Sequence, residues 1–147
     1  MKRFMFRLDP LLKYREYKER RKKLAVAQAK SDVLLCEQSI EETREQRQSA
    51  VVSMERSMSQ GMDGDHLRQF SHYLSGLDTF CDAEKLRLQE LLEELTHRQQ
   101  ELSAKSLDRK VLENLKSKQQ EEYYSEMIRA EQKELDDTII LRQSRKS

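Results

Sequence analysis

Leu67, Leu74, Cys81, Leu88, Leu95 and Leu102 recur every seven residues, and a second series interleaves with them: Phe70, Leu77, Glu84, Leu91, Arg98 and Lys105. This period keeps one stripe of an α-helix against one partner helix, and slight underwinding gives a left-handed supercoil. A strand has no use for it, because its side chains alternate every second residue. The same period runs earlier in the chain, through Leu12, Glu19, Val26, Val33, Ile40, Arg47 and Met54. The partner series is Leu8, Arg15, Lys22, Ala29, Cys36, Thr43, Ala50 and Ser57. Between Val26 and Ala50 this first seam is β-branched on one side and small on the other. Leucines packed against small residues let two helix axes approach closely. After Leu102 the apolar phase turns irregular, through Leu107, Val111, Leu115, Tyr124, Ile128, Leu135 and Ile139.

Few residues interrupt these helices. The chain of 147 residues has one proline and three glycines. Asp9-Pro10 reads as an N-cap followed by the first helical position. In Gln60-Gly61-Met62-Asp63-Gly64-Asp65, two glycines end one helix and an aspartate caps the next. Gly76 falls inside the second pattern and weakens it without ending it. The expected fold is all-α: a single antiparallel coiled-coil hairpin over 1–147, with helix 1 about 9–58, a turn about 59–64 and helix 2 about 65–142. Folding about residue 62 brings Ile40 near Glu84, Val26 near Arg98 and Leu12 near Leu112. Helix 2 then overhangs from roughly residue 117, carrying Tyr123, Tyr124, Met127 and Ile128 without a partner. Composition agrees, since only 36% of residues are hydrophobic while 37% are charged. That leaves enough for a narrow seam and too little for a compact core. A rod would have more than twice the radius of gyration of a globule of this length, about 15 Å.

Nothing in the chain points to catalysis or to a cofactor. His66, His72 and His97 are never four residues apart, neither cysteine belongs to a CxxC pair, and no phosphate-binding glycine loop or nucleophile elbow occurs. Cys36 and Cys81 both fall on seams and read as small buried hydrophobes; with Cys36 facing residue 88, a disulfide is out of register, and a reduced cytoplasmic setting fits. Arg7 and Asp9 interrupt the apolar start before it reaches signal-peptide length. No stretch approaches the length of a membrane span, so association with a membrane has to run through a partner.

Charge is uneven beneath a formal net of +1. Residues 1–23 hold ten basic and three acidic side chains, ending in Arg20-Arg21-Lys22-Lys23. Two readings stand side by side: a solvated face that pairs with acids of helix 2, or a docking patch for an acidic protein. Nucleic acid is disfavoured, because no aromatic residues interleave for base stacking. Met54, Met58 and Met62 either fill the seam beside the turn or form an adaptable contact surface. Tyr14, Tyr17, Tyr123 and Tyr124 gather at the open end, where they are expected to pack together.

The opening Phe4-x-Phe6-x-Leu8-x-x-Leu11-Leu12-x-x-Arg15 resembles the start of the FliJ family of flagellar type III export proteins. The stretch Asp108 to Arg142 resembles the family's ending, above all Glu122-Tyr123 and Glu131-Gln132-Lys133-Glu134-Leu135-Asp136-Asp137. The resemblance implies a non-catalytic antiparallel coiled-coil rod, cytoplasmic and peripherally associated with the inner membrane at the flagellar base. Its implied partners are the hexameric export ATPase, the cytoplasmic part of the membrane export-gate protein, and export chaperones. By position, the ring-facing residues would be Phe4, Phe6, Leu8, Leu11, Leu12 and Arg15, with Glu131, Lys133 and Glu134 opposite or beyond. Arg20, Arg21, Lys22 and Lys23 suit a rod held by acidic loops of a ring. Phe70, Leu74 and Leu77 would face the gate, although plain core packing also accounts for them and is preferred for Leu74 and Leu77. The competing readings are the equivalent stalk of a virulence-type secretion system and a self-associating structural coiled coil.

Overall fold

The computed structural model describes residues 3–146. Two helices, α1 (Asp9–Ser59) and α2 (Gly64–Lys146), pack against each other as a helical hairpin, and the second is the longer. No strand occurs among the described residues.

The first helix start differs from its sequence reading. The Leu8 carbonyl accepts the Leu12 N–H at 2.9 Å, so Leu8 takes the cap position and Asp9 is already helical. The Asp9 carboxylate turns away from the backbone to Lys13 at 3.4 Å and Lys116 at 3.3 Å. Two ammonium groups outcompete backbone N–H donors for it, while its charge still suits the positive end of the helix. At the turn, the Gln60 and Gly61 N–H groups bond back to Ser57 and Met58. Gly61 has φ 88°, the left-handed conformation in which glycine closes a helix without a side-chain clash. Asp63 then caps α2: its carboxylate accepts the His66 N–H at 2.9 Å.

The contacts divide the chain into two units. In the first, Lys22–Leu102, α1 buries Val26, Ala29, Val33, Cys36, Ile40 and Thr43, the two seam series read from the heptads. The facing residues of α2, from Phe70 through Leu74, Leu77, Cys81, Leu88, Leu91 and Leu95, are half-buried. The polar seam positions find partners. The Cys36 thiol donates to the Glu84 carbonyl at 3.4 Å, and Arg98 donates to the Ala25 carbonyl at 2.9 Å. Cys36 therefore contacts residue 84, one helical turn from the residue 88 that the register places opposite it.

The second unit joins Met1–Arg21 to Ser103–Ser147. Phe6, Leu12 and Leu112 form its buried cluster, with Phe4 and Leu115 packed against it. Leu12 thus meets Leu112, as folding about residue 62 requires. Phase is not lost after Leu102. Lys105, Arg109, Leu112 and Lys116 continue the inward stripe, whereas Leu107 and Val111 point to solvent. Leu107 and Val111 are out of step here, and Lys105, Arg109 and Lys116 share the seam with Leu112.

Candidate interaction surfaces

No group of residues among those described could hold a metal ion, and no described helix is long and apolar enough to cross a membrane. The surfaces of interest are therefore the faces that the hairpin leaves for partners.

In the terminal unit, the six N-terminal candidates divide by accessibility. Phe6 and Leu12 are core residues, and Phe4 is half-buried with its ring 5.6 Å from that of Tyr123. Leu8 and Leu11 lie exposed on the outside. Arg15 donates to the Asp108 carbonyl at 2.7 Å, holding α1 to α2. Glu131, Lys133 and Glu134 are exposed on α2. Beyond Met127 every described residue of α2 is exposed, including Ile128, Leu135, Ile139, Ile140 and Leu141. A stretch of helix with this much uncovered apolar surface is suited to a partner.

The tyrosines do not all gather. Tyr123 packs between Phe4 and Tyr124, but Tyr14 and Tyr17 stand on the outer face of α1, each about half exposed. Lys18 lies 4.8 Å from the Tyr14 ring and Arg21 5.9 Å from the Tyr17 ring, four residues along in both cases. This spacing brings a cation over an aromatic face on the same side of a helix.

Arg20 and Arg21 of the basic cluster are exposed in this unit. Lys22 and Lys23 belong to the other. Lys23 is exposed, whereas Lys22 turns to the seam and pairs with Glu101 at 2.7 Å. Lys22 thus pairs with an acid of helix 2, as the first reading of the cluster expects, and Arg20, Arg21 and Lys23 are exposed. The Lys22 ammonium is the main reason that the Glu101 carboxyl titrates below its ordinary range; His97, 2.9 Å away, adds to this.

Sequence reasoning missed a polar pair that crosses the seam of the terminal unit. Glu19 is buried at a seam position and pairs with Arg109, which also binds Glu113. Glu19 foremost, then Glu113, raises the affinity of the Arg109 guanidinium for its proton. The signal was present, since both residues lie on the inward stripes, at seven-residue steps from Leu12 and Leu102. The Asp9 carboxyl is likewise held below its usual range, chiefly by its hydrogen bond with Lys116.

In the unit Lys22–Leu102, Phe70, Leu74 and Leu77 are half-buried against α1. Phe70 and Tyr73 border an open groove whose other wall is Glu45, Ser49, Ala50 and Ser53. Small side chains on α1 leave this groove, so Phe70 keeps an accessible edge. Met54 and Met62 are half-buried beside the turn, and Met58 faces solvent. His66 Nδ1 lies 2.7 Å from the Asp63 carboxylate. The His66 N–H, then its ring, keep the Asp63 carboxyl below its ordinary range. Cys36 and Cys81 are free thiols. Burial, reinforced by the Glu84 carboxylate, pushes the Cys36 thiol upward.

The family model described as "Flagellar FliJ protein" matches residues 4–147. No curated protein and no solved structure matches the chain.

Proposed function

Since this chain belongs to the FliJ family of flagellar proteins, we propose that it acts as the coiled-coil stalk of the flagellar export ATPase. The family implies a non-catalytic component of flagellar type III export. In the finer reading, the stalk enters the hexameric ATPase ring, promotes assembly of the ring, and links it to export chaperones and to the cytoplasmic part of the export gate. It works at the cytoplasmic side of the inner membrane, through these partners.

One observation carries the reading beyond family membership. The terminal unit joins residues 3–21 to residues 103–146, and its stretch of α2 past Met127 is exposed along its whole described length. A ring lumen would enclose such a helix on all sides. Within this reading, Leu8, Leu11, Arg20, Arg21, Glu131, Lys133 and Glu134 touch the ring. Phe4, Phe6, Leu12 and Arg15 shape the end that enters. Lys22, paired with Glu101 in the other unit, and exposed Lys23 contribute charge at the ring's rim. Phe70 is the residue offered to the gate, from the edge of its groove, while Leu74 and Leu77 support it from the seam.

The chain, immobilised and exposed to extract from its own cells, is expected to retain a hexameric ATPase. Replacing Glu131 and Glu134 with Lys should release the enzyme while leaving the helix content intact. Retention of the gate or of chaperones but of no ATPase would contradict the stalk reading.

A further inference from the structure

In the unit Lys22–Leu102, one face of α1 is both uncharged and uncovered. At about 100° per residue, Leu24, Ala27, Gln28, Ser31, Leu34, Leu35 and Gln38 fall within an arc of about 120°. No other residue between positions 22 and 41 lies in that arc, so it holds no charged side chain over this length. All of these residues are exposed, Leu24 at 72%, Leu34 at 59% and Leu35 at 61%. They stand on the opposite side of the helix from the buried Val26, Ala29, Val33, Cys36 and Ile40, out of reach of α2. In a chain with 37% charged residues, solvent-facing leucines with nothing ionic among them mark a contact face.

The spacing within the arc suits a helix as its cover. Leu24, Ser31 and Gln38 are seven residues apart, with Ala27, Gln28, Leu34 and Leu35 between them. This is a second heptad stripe on the helix that already spends one on the seam. Ser31 is its midpoint, and Ala27 lies one turn away. Small side chains there let a second helix axis approach closely, and the leucines to either side close over it.

Charge along α1 identifies that helix as α1 of a second copy, running antiparallel. Residues 22–30 contain three lysines and no acid, whereas residues 32–45 contain five acids and one arginine. Ser31 is thus both the middle of the uncharged arc and the point where the charge changes sign. One flank of the arc repeats this order, with Lys23, Lys30, Glu37 and Glu41 following one another, all exposed. In an antiparallel pair about a two-fold axis, this flank meets the same flank of the other copy in reverse. The lysine half of each copy then lies along the acidic half of the other, and the contact closes on itself. Parallel pairing would set the lysine halves side by side. With the axis beside Ser31, Leu35 comes level with Ala27 of the other copy and Leu24 with Gln38, large against smaller. Two such arcs bury on the order of 1,000 Å² together, enough for a reversible dimer and short of an obligate one.

We propose that two copies of this chain pair reversibly and antiparallel through the outer face of α1 between Leu24 and Gln38, with the two-fold axis beside Ser31. The leucines supply the contact, and the change of charge sign along the helix fixes its direction. The arc takes in no residue that the export reading uses, and the test needs the chain alone.

Sedimentation equilibrium of the full chain should show a monomer–dimer equilibrium with a Kd on the order of 10 μM. Leu34→Glu with Leu35→Glu should abolish the dimer, while circular dichroism shows the helices intact because both residues are exposed. Leu86→Glu, at an equally exposed leucine of α2, should leave the dimer as it is. Direction is read by oxidation in a Cys81→Ser background, where the other native thiol, Cys36, is buried. Leu24→Cys mixed with Gln38→Cys should give a disulfide-linked pair containing one of each, and neither should link to itself. A wild-type chain still monomeric at about 1 mM overturns the proposal. So does a dimer that survives the double glutamate variant, which would point to pairing through the seam. Leu24→Cys linking to itself would show parallel pairing and overturn it as well.

Discussion

Cys36 and Cys81 lie in the same unit on facing helices, and their surroundings set them apart. Cys36 is buried and donates to Glu84, so both burial and a neighbouring carboxylate oppose its thiolate. Cys81 is only half-buried. At neutral pH iodoacetamide should modify Cys81 first, and Cys36 should react only as the hairpin opens. Mass spectrometry of partially labelled protein reads this directly, and equal rates would contradict it. Glu101 offers a test by pH. Lys22, then His97, hold its carboxyl below the ordinary value of 4.5 in the folded chain. A depressed carboxyl stabilises the fold above its unfolded pKa, and that contribution is lost as pH falls through the folded value. The melting temperature should therefore drop from pH 6 towards pH 3, and Glu101→Gln should lower it at pH 6 while flattening the acid limb. A drop of unchanged depth in the variant would place the pH dependence elsewhere.

At the scale of the helices, stability is concentrated in one narrow stripe. Ile40 is buried on it, whereas the neighbouring Leu34 and Leu35 are about 60% exposed. Ile40→Ala should cost about 2 kcal/mol, the low end for a core truncation, because the seam is only two helices deep. Leu34→Ala should stay within about 0.5 kcal/mol. Gly76 is helical with open space where a Cβ would stand. Gly76→Ala should therefore stabilise by up to about 1 kcal/mol. Urea denaturation measures all three. The buried Glu19–Arg109 pair should behave differently: Glu19→Ala destabilises by leaving Arg109 short of a partner, and Leu at both positions recovers the loss.

The heptads made these elements legible. A repeat of seven leaves little choice of partner, and the glycines at 61 and 64 leave little choice of turn, so the meeting of Leu12 with Leu112 follows from counting. Polar chemistry was harder to read. Asp9 and Pro10 look like a cap, and only the fold reveals two lysines drawing the carboxylate away. The seam past Leu102 looked irregular because apolar residues were taken as its only marker. Lys105 and Arg109 occupy it through their long apolar stems, as amphipathic side chains do, and Arg109 is also held there by Glu19 and Glu113.

Over the whole molecule, a formal charge near neutrality conceals a basic start and an acidic stretch late in α2. Neither is fully spent within the fold. The candidate surfaces were legible as charge and as uncovered apolar residues, but which residues remain available was not. Of the residues that the family resemblance implies face the ring, Phe6 and Leu12 are core, and Leu8 and Leu11 carry exposed apolar surface. Periodicity places a residue on a face; whether that face is covered depends on the register of the partner helix and on the lead-in that folds across it. The export reading depends on what encloses the terminal unit. Its most direct measurement is the hydrolysis rate and assembly state of the cognate export ATPase with and without this chain. The stalk reading expects added chain to raise both the fraction of hexamer and the rate of ATP hydrolysis. Folded chain that changes neither would contradict it.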